Sequence, residues 1–246
     1  MSEVRYFMKF YLNSRTPNER YSFNVKYDQF GNIVHRKSID TSEKILIHVF
    51  EKEVLSLLEE DNKVFTMIEL GSNQCYYSIM FKAMCKHFKK SSDVFLVEPN
   101  PTHLQRGMEN FSINNYNGYF NSLIIGEKES LKEDLDISSL PGGSEYLFGC
   151  KVITIPFRQF VKNNLNENCE DGVDILHMDV DFAEMSVLES GKELFADKFF
   201  KKVFVSTHSV DLHNRTKSFM LGYGYNLIHE ETNNVVGNDR LLVFNK

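Results

Sequence analysis

Cysteine is scarce in this sequence, and its four copies, Cys75, Cys85, Cys150 and Cys169, form no CxxC pair. In a chain of 246 residues that pattern excludes a disulfide or zinc framework and reads as reduced, cytosolic thiols. No apolar run approaches the roughly 18–20 residues that cross a bilayer, so no membrane partner is expected. The opening MSEVRYFMKFYLNSR has neither the apolar core nor the small-residue cleavage site of an export signal, which predicts a cytoplasmic protein. An excess of positive charge is missing too: 28 Lys and Arg stand against 34 Asp and Glu, a net charge of −6. Nucleic-acid binders normally carry a basic footprint, so no nucleic-acid partner is expected. Tryptophan is absent, while 21 Phe and 11 Tyr bring the aromatic share to 13%, most of it expected in the core. Hydrophobic residues at 42% and charged residues at 25% are ordinary globular values and exclude wholesale disorder.

No repeat is visible, and no Pro-, Gly- or Ser-rich linker divides the chain. The length fits one α/β domain with an N-terminal extension. Residues 1–62 read as that extension, a hairpin followed by a helix. Phe23–Tyr27 alternates apolar and polar residues, Asp28–Asn32 supplies turn chemistry, and Ile33–Val34 restarts a strand. Thr41 and Ser42 are candidate caps for a helix over 43–59, in which Ile45, Val49, Leu55 and Leu58 recur near helical spacing.

From residue 63 to 246 short apolar strands alternate with amphipathic helices. Strands are expected at Val64–Leu70, Val94–Val97, Tyr119–Ile125, Val152–Ile155, Val173–Met178, Lys202–Ser206, Leu227–Ile228 and Leu241–Phe244. Helices are expected at Tyr76–Phe88, Thr102–Ile113, Ala183–Phe195 and Leu212–Leu221. Such alternation implies βαβ crossovers and a mostly parallel sheet with helices on both faces. Residues 127–150, charged and then rich in Ser, Pro and Gly, stand outside the rhythm and read as an insertion over one end of the sheet. An insertion of that length is either a lid or a surface excursion.

In such a sheet ligands sit outside the carboxyl ends of the strands. The first strand of the series ends Met67-Ile-Glu-Leu-Gly-Ser-Asn-Gln-Cys75, where a glycine and small polar residues let backbone approach a ligand. GxGxxG and a Walker lysine are both missing, which argues against a pyrophosphate cradle and a nicotinamide enzyme. The second strand ends at Glu98, followed by Pro99, Asn100 and Pro101. A carboxylate there, some 20–30 residues beyond the glycine turn, is where ribose hydroxyls are held in nucleoside-binding α/β folds. Its two oxygens suit a pair of vicinal hydroxyls. A later strand ends Leu176-His-Met-Asp179-Val-Asp181-Phe-Ala-Glu184. Those carboxylates either complement a helix N-terminus or form an acid/base or metal-binding cluster. His208, at the end of the next strand, is expected on the same rim.

In this order the motifs resemble the FkbM-type family of class I S-adenosylmethionine-dependent methyltransferases. The resemblance rests on IELGSNQCYYSI (68–79), VEPNPTHLQRGMENFSINN (97–115), VDILHMDVDFAEMSVLESG (173–191), VFVSTHS (203–209) and GNDRLLVF (237–244). It implies a Rossmann-like methyltransferase sheet of seven strands, the last antiparallel, with S-adenosylmethionine as methyl donor and a hydroxyl as acceptor. It implies a small-molecule acceptor such as a sugar or sugar-linked group in surface-glycan or natural-product biosynthesis. By the same resemblance Glu69 and Gly71 match the family's first cofactor-binding motif, Ser72 and Asn73 lie beside the methionine moiety, and Glu98, next to Pro99, holds the ribose. Ser122 and Leu123 flank the adenine, Asp179 stands beside the transferred methyl, and Glu184 and His208 match a helix-start glutamate and a rim histidine. Three residues depart from the family pattern. Cys75 replaces a second glycine, Asp181-Phe182 replaces Glu-Gly on the acceptor side, and His177 replaces a lysine.

Methyl transfer to a weakly acidic hydroxyl needs proximity and a base. His208 is the first candidate base, because its ordinary pKa lies near working pH, and Asp179 or Asp181 orients it or takes the proton instead. A divalent metal is not expected, although Asp179, Asp181, Glu184 and His208 offer ligands for one. His35, His48, His87, His103, His213 and His229 show no partner pattern and read as ordinary surface or half-buried residues. Of Tyr76 and Tyr77, one is expected to face the cofactor. The rival reading, supported by Cys75 and Asp181-Phe182, is a non-catalytic nucleoside-binding relative that serves as an assembly module. A homo-oligomer remains compatible with the sequence.

Overall fold

The computed structural model describes residues 26–27, 33–34, 41–60, 64–132, 152–165, 172–232 and 240–246. A short hairpin, β1 (Lys26–Tyr27) and β2 (Ile33–Val34), pairs antiparallel, in agreement with the turn chemistry between them. Helix α1 (Thr41–Leu58) follows, then β3 (Val64–Leu70), α2 (Tyr76–His87), β4 (Ser91–Val97), α3 (Pro101–Ile113) and β5 (Tyr119–Asn121). Next come β6 (Leu123–Ile125), β7 (Ser130–Lys132), β8 (Val152–Ile155) and α4 (Phe157–Asn164). The chain closes with β9 (Val173–Met178), α5 (Glu184–Ser190), α6 (Lys192–Ala196), β10 (Phe200–Thr207), α7 (Val210–Gly222), β11 (Asn226–Glu231) and β12 (Arg240–Asn245).

Seven strands form one sheet in the order β11-β12-β10-β9-β3-β4-β5. The β3, β4, β5, β9 and β10 ladders are parallel, whereas β12 runs antiparallel between β10 and β11. This is the expected Rossmann-like sheet with its last strand reversed. Its central strands are buried on both faces, as apolar runs such as Val64–Leu70 and Val173–Met178 require. On one face Ile47, Phe50, Val54 and Leu57 of α1 pack with α2 against Phe65, Ile175 and Phe204. The boundary expected at residue 62 therefore falls between two elements, α1 and β3, that share one hydrophobic cluster. On the other face Phe157, Phe160, Val187, Leu188 and Phe195 pack against Ile68, Leu176 and Val203.

The expected strand 119–125 is two strands in two sheets. Tyr119–Asn121 completes the edge of the main sheet, and Leu123–Ile125 joins β8 and β7 in a separate three-stranded sheet. Val152–Ile155 likewise belongs to that small sheet and not to the main one. The helix expected over 183–195 breaks at Gly191, where a Cβ would come 2.6 Å from Phe157 Cδ1. Of the insertion at 127–150, Ser130–Lys132 forms β7, and 133–150 lie outside the described residues. Among the described residues no helix is long and apolar enough to cross a membrane.

Candidate active site

Backbone hydrogen bonds draw the carboxyl ends of the central strands together. Gly71 and Ser72 N–H donate to Val97 O at 2.9 and 3.0 Å, and Asp179 N–H donates to Leu70 O at 2.9 Å. Glu98 N–H donates to Asn121 O at 3.1 Å. Gly71 has φ +74°, and a Cβ built on it would lie 1.7 Å from Asp179 O. Only glycine lets the first turn pass this close to the end of β9.

Glu98 is buried at the end of β4, and two backbone amides fix its carboxylate. Asn73 N–H donates to Oε2 and Asn100 N–H to Oε1, both at 2.8 Å. Asn100 in turn caps α3: its Oδ1 accepts Thr102 N–H at 2.9 Å, and Pro101 sits where a helix first lacks a partner for N–H. Burial raises the Glu98 pKa to about 7; the two amides pull it down, and the charges of Asp181 and Asp179 push it up. Each oxygen accepts one amide and keeps further acceptor capacity for hydroxyl donors. The oriented acceptor pair is thus suited to a ribose diol.

Glu69, at the end of β3, accepts Ser78 N–H at 3.2 Å and the Ser78 hydroxyl, so it serves the first turn of α2 from outside the helix. Burial raises its pKa to about 8 against the opposing Ser78 hydrogen bonds. His177, directly across in the β3–β9 register, lies with Nδ1 3.9 Å from Glu69 Oε1. Burial lowers the His177 pKa to about 4, so the two are neutral neighbours at pH 7 and not an ion pair. Tyr77 stacks on His177 at 4.3 Å. Tyr76 and Tyr77 are both buried, and both pack with the core.

Cys75, the departure from glycine, adopts the glycine-like left-handed conformation (φ 63°, ψ 35°) at the start of α2. Its sulfur lies against α3, where a Cβ on Gly107 would meet Sγ at 2.3 Å. The missing glycine is matched by one across the helix interface. Gly107→Ala is expected to lose about 1–3 kcal/mol of stability from overpacking. The second change Cys75→Gly should restore most of that in paired thermal melts, and strictly additive losses would contradict the pairing.

On the other side of Gly71, three carboxylates surround His208, one residue beyond β10. Its Nδ1 lies 2.6 Å from Glu184 Oε1, and its Nε2 lies 3.3 Å from Oδ1 of both Asp179 and Asp181. Glu184 is wholly buried at the start of α5, and among the described residues its Oε2 has no partner. Burial alone would depress the His208 pKa. The hydrogen bonds and charges of Asp179 and Glu184 outweigh it and raise the value to about 10. At pH 7 His208 is therefore an imidazolium with no lone pair to take a proton. Among the described residues no set of three His, Cys, Asp or Glu side chains is placed to hold a metal ion.

Val180–Ala183, which carries Asp181, is a tight turn closed by Ala183 N–H to Val180 O at 3.1 Å. Both central residues have positive φ, Asp181 at 41° and Phe182 at 70°. That is the pattern of a type I′ turn, in which the second central residue is usually glycine. Left-handed backbone costs an ordinary residue about 1–2 kcal/mol. Phe182 lies 5.5 Å from the His208 ring, centroid to centroid, and is 39% exposed.

The structure thus brings Glu69, Gly71, Ser72, Asn73, Glu98 and Asp179 to one end of the sheet with Asp181 and His208. Pro99 continues from Glu98, while Ser122 and Leu123 stand at the point where the chain leaves the main sheet for the small one. The Glu184–His208 contact, across 24 positions, joins two side chains that the sequence already groups as candidate ligands. One feature escapes the sequence: His213, expected as an ordinary surface or half-buried residue, is buried, with Nδ1 3.0 Å from Thr207 Oγ1 and Nε2 3.0 Å from Glu230 Oε1, and no motif marks the contact.

The family model described as the Methyltransferase FkbM domain matches residues 71–227, well over half of the chain. A comparison with curated proteins finds no match. Among solved structures, the chain is similar to the methyltransferase FkbM from Methylobacillus flagellatus KT at 13% identity and a TM-score of 0.53. That match covers 74% of this chain and 43% of the other, so the chain spans less than half the length of that relative. The precorrin-6y C5,15-methyltransferase from Geobacter metallireducens GS-15 is similar at 11% identity and a TM-score of 0.47, over 86% and 93% of the two chains. M. capricolum TrmK in complex with S-adenosylhomocysteine is similar at 13% identity and a TM-score of 0.44, over 78% and 67%. The domain match, on a chain whose sheet has the expected seven strands and reversed last strand, shows that this protein belongs to the FkbM family of methyltransferases, whose methyl donor is S-adenosylmethionine.

Proposed function

We propose that the protein O-methylates a hydroxyl of a small molecule, with a sugar or sugar-linked group as the leading class, in surface-glycan or natural-product biosynthesis and in the cytoplasm. The observation that carries the cofactor half is the Glu98 carboxylate, buried and oriented by Asn73 and Asn100 at the end of β4. In this reading residues 63–246 are the methyltransferase domain and 1–62 its extension. Glu98 holds the ribose hydroxyls, the turn Gly71-Ser72-Asn73 lies along the methionine moiety, Pro99, Ser122 and Leu123 border the base, and Asp179 borders the reacting centre.

When bound, S-adenosylmethionine supplies a methyl on a sulfonium; displacement by a hydroxyl oxygen forms one O–C bond, breaks one S–C bond and releases one proton. Because the carboxylates hold His208 as an imidazolium, the proton goes to a carboxylate. Asp181, in the exposed turn, is the acceptor-side candidate, and Asp179 lies nearer the glycine turn. His208 holds both in place through Nε2 and is itself held by Glu184.

The test is calorimetric titration with S-adenosylhomocysteine across pH 6–8. Hydroxyls donate to the ionised form of Glu98, whose pKa in the free protein is raised to about 7. Affinity should therefore rise with pH through about 7 and level off above it. Glu98→Ala should lose about 1–3 kcal/mol of binding and this pH dependence with it. Unchanged affinity in the variant would remove Glu98 from the ribose role. Tight nucleoside binding with no transfer to any acceptor would favour the assembly-module reading instead.

A further inference from the structure

Only His208 and Ser209 stand between the end of β10 and the start of α7, and one residue outside the candidate active site grips the chain on either side of His208. His213, in the first turn of α7, donates its backbone N–H to Ser209 O at 2.9 Å, and its ring Nδ1 lies 3.0 Å from Thr207 Oγ1. Ser209 is fixed in turn, because its Oγ caps α7 by accepting Leu212 N–H at 3.1 Å. The far side of the His213 ring is fixed as well. Its Nε2 lies 3.0 Å from Glu230 Oε1 on β11, and Lys217 Nζ donates to the other oxygen of that carboxylate at 2.6 Å. The hydrogen bonds from Lys217 and His213 hold the Glu230 pKa below the usual carboxylate range. An ionised carboxylate only accepts, so Nε2 carries a hydrogen and Nδ1 is left to meet the Thr207 hydroxyl.

Thr207 and His213 are both buried, and an apolar pair would fill the space between β10 and α7 with no polar atoms to satisfy. What the polar pair adds is direction, since a satisfied buried network admits one arrangement where apolar packing tolerates sliding. That precision matters at His208. Its Nε2 stands 3.3 Å from both Asp179 Oδ1 and Asp181 Oδ1, at the outer edge of hydrogen-bond range, so a shift of about 0.5 Å ends one contact or both. We propose that His213 is a positioning residue of the active site: by holding Thr207 and Ser209 it sets His208 within reach of Asp179, Asp181 and Glu184 at once. This deepens the methyltransferase reading and rests on it, because the carboxylates so placed take the proton in that mechanism. Buried behind Thr207, His213 acts through the threonine hydroxyl and not on the reacting atoms.

The test compares two pairs of variants by proton NMR on the protein loaded with S-adenosylhomocysteine. The readout is the exchange rate with water of the His208 ring N–H protons, assigned by their absence from His208→Gln. Thr207→Val removes the hydroxyl, and Thr207→Ser keeps it. His213→Asn keeps a polar atom where Nδ1 stands and gives up Glu230, whereas His213→Gln keeps the reach to Glu230 and gives up Thr207. Exchange should quicken at least about five-fold in Thr207→Val and His213→Gln and stay near the wild-type rate in Thr207→Ser and His213→Asn. Thermal melts should rank the two histidine variants the other way, because Gln fills the buried site better than the shorter Asn. The threonine pair decides alone if a His213 variant does not fold. Exchange rates that follow the melting order, or that are equal in all the variants, would overturn the proposal and leave the cofactor reading standing. Failure of the wild type to bind S-adenosylhomocysteine would overturn both.

Discussion

Gly71→Ala should abolish S-adenosylhomocysteine binding and lower stability by roughly 2–5 kcal/mol, the sum of overpacking and left-handed strain. The new methyl would fall 1.7 Å from Asp179 O and 2.7 Å from the carbonyl carbon, both backbone atoms that no rotamer change can move away. Relief requires the β3 and β9 ends to separate, which breaks the Asp179 N–H to Leu70 O bond and pulls Asp179 from the glycine turn. In a chain of this size each kcal/mol shifts the melting temperature by about 2–4 °C, so the loss is readable in a thermal melt. Gly222→Ala is the control. That glycine ends α7 with nothing within 4 Å of the added Cβ, and alanine there should be neutral or gain up to roughly 1 kcal/mol. Wild-type melting and binding in Gly71→Ala would mean that the two strand ends are not locked together.

The part of the fold legible in the sequence is the part that burial dictates. Strands such as Val64–Leu70 and Val173–Met178 lie between two layers of helix, so they read as unbroken apolar runs. Their ends are legible because Gly71, Glu98 and Asp179 break those runs with residues a core does not tolerate. What was not legible is where an apolar run changes partners. Tyr119–Ile125 looks continuous, yet Ser122 divides it between two sheets, and composition carries no record of which strand pairs with which. The break at Gly191 follows from Phe157, 34 positions earlier, in a helix that the alternation pattern had not revealed. The candidate site divides the same way. Its membership follows from strand ends, which topology places on one rim. Its electrostatics follow from burial and distance: burial raises the Glu69 pKa to about 8, and Asp179 and Glu184 outweigh burial to raise that of His208 to about 10.

His208→Ala should lower turnover by about 10²-fold or more, because it releases Asp179 and Asp181, one of which takes the proton in the proposed mechanism, while S-adenosylhomocysteine affinity should change little. It should also cost stability, since it leaves the wholly buried Glu184 carboxylate without its cation. Breaking a buried pair from one side costs about 3–5 kcal/mol, much of it the penalty of the stranded charge. Glu184→Gln in the same background removes that charge, so the double variant should recover part of the loss. A double variant no more stable than His208→Ala would show that Glu184 was never ionised against the ring. The pH dependence has a fixed sign. His208 has a folded pKa of about 10, above its ordinary 6.5, so its contribution is complete below pH 6.5 and gone above about 10. The wild type's advantage over the double variant should therefore shrink steadily between those limits. An advantage that held constant up to pH 10 would place His208 as a neutral ring, and the proton acceptor would then be its Nε2 and not Asp181.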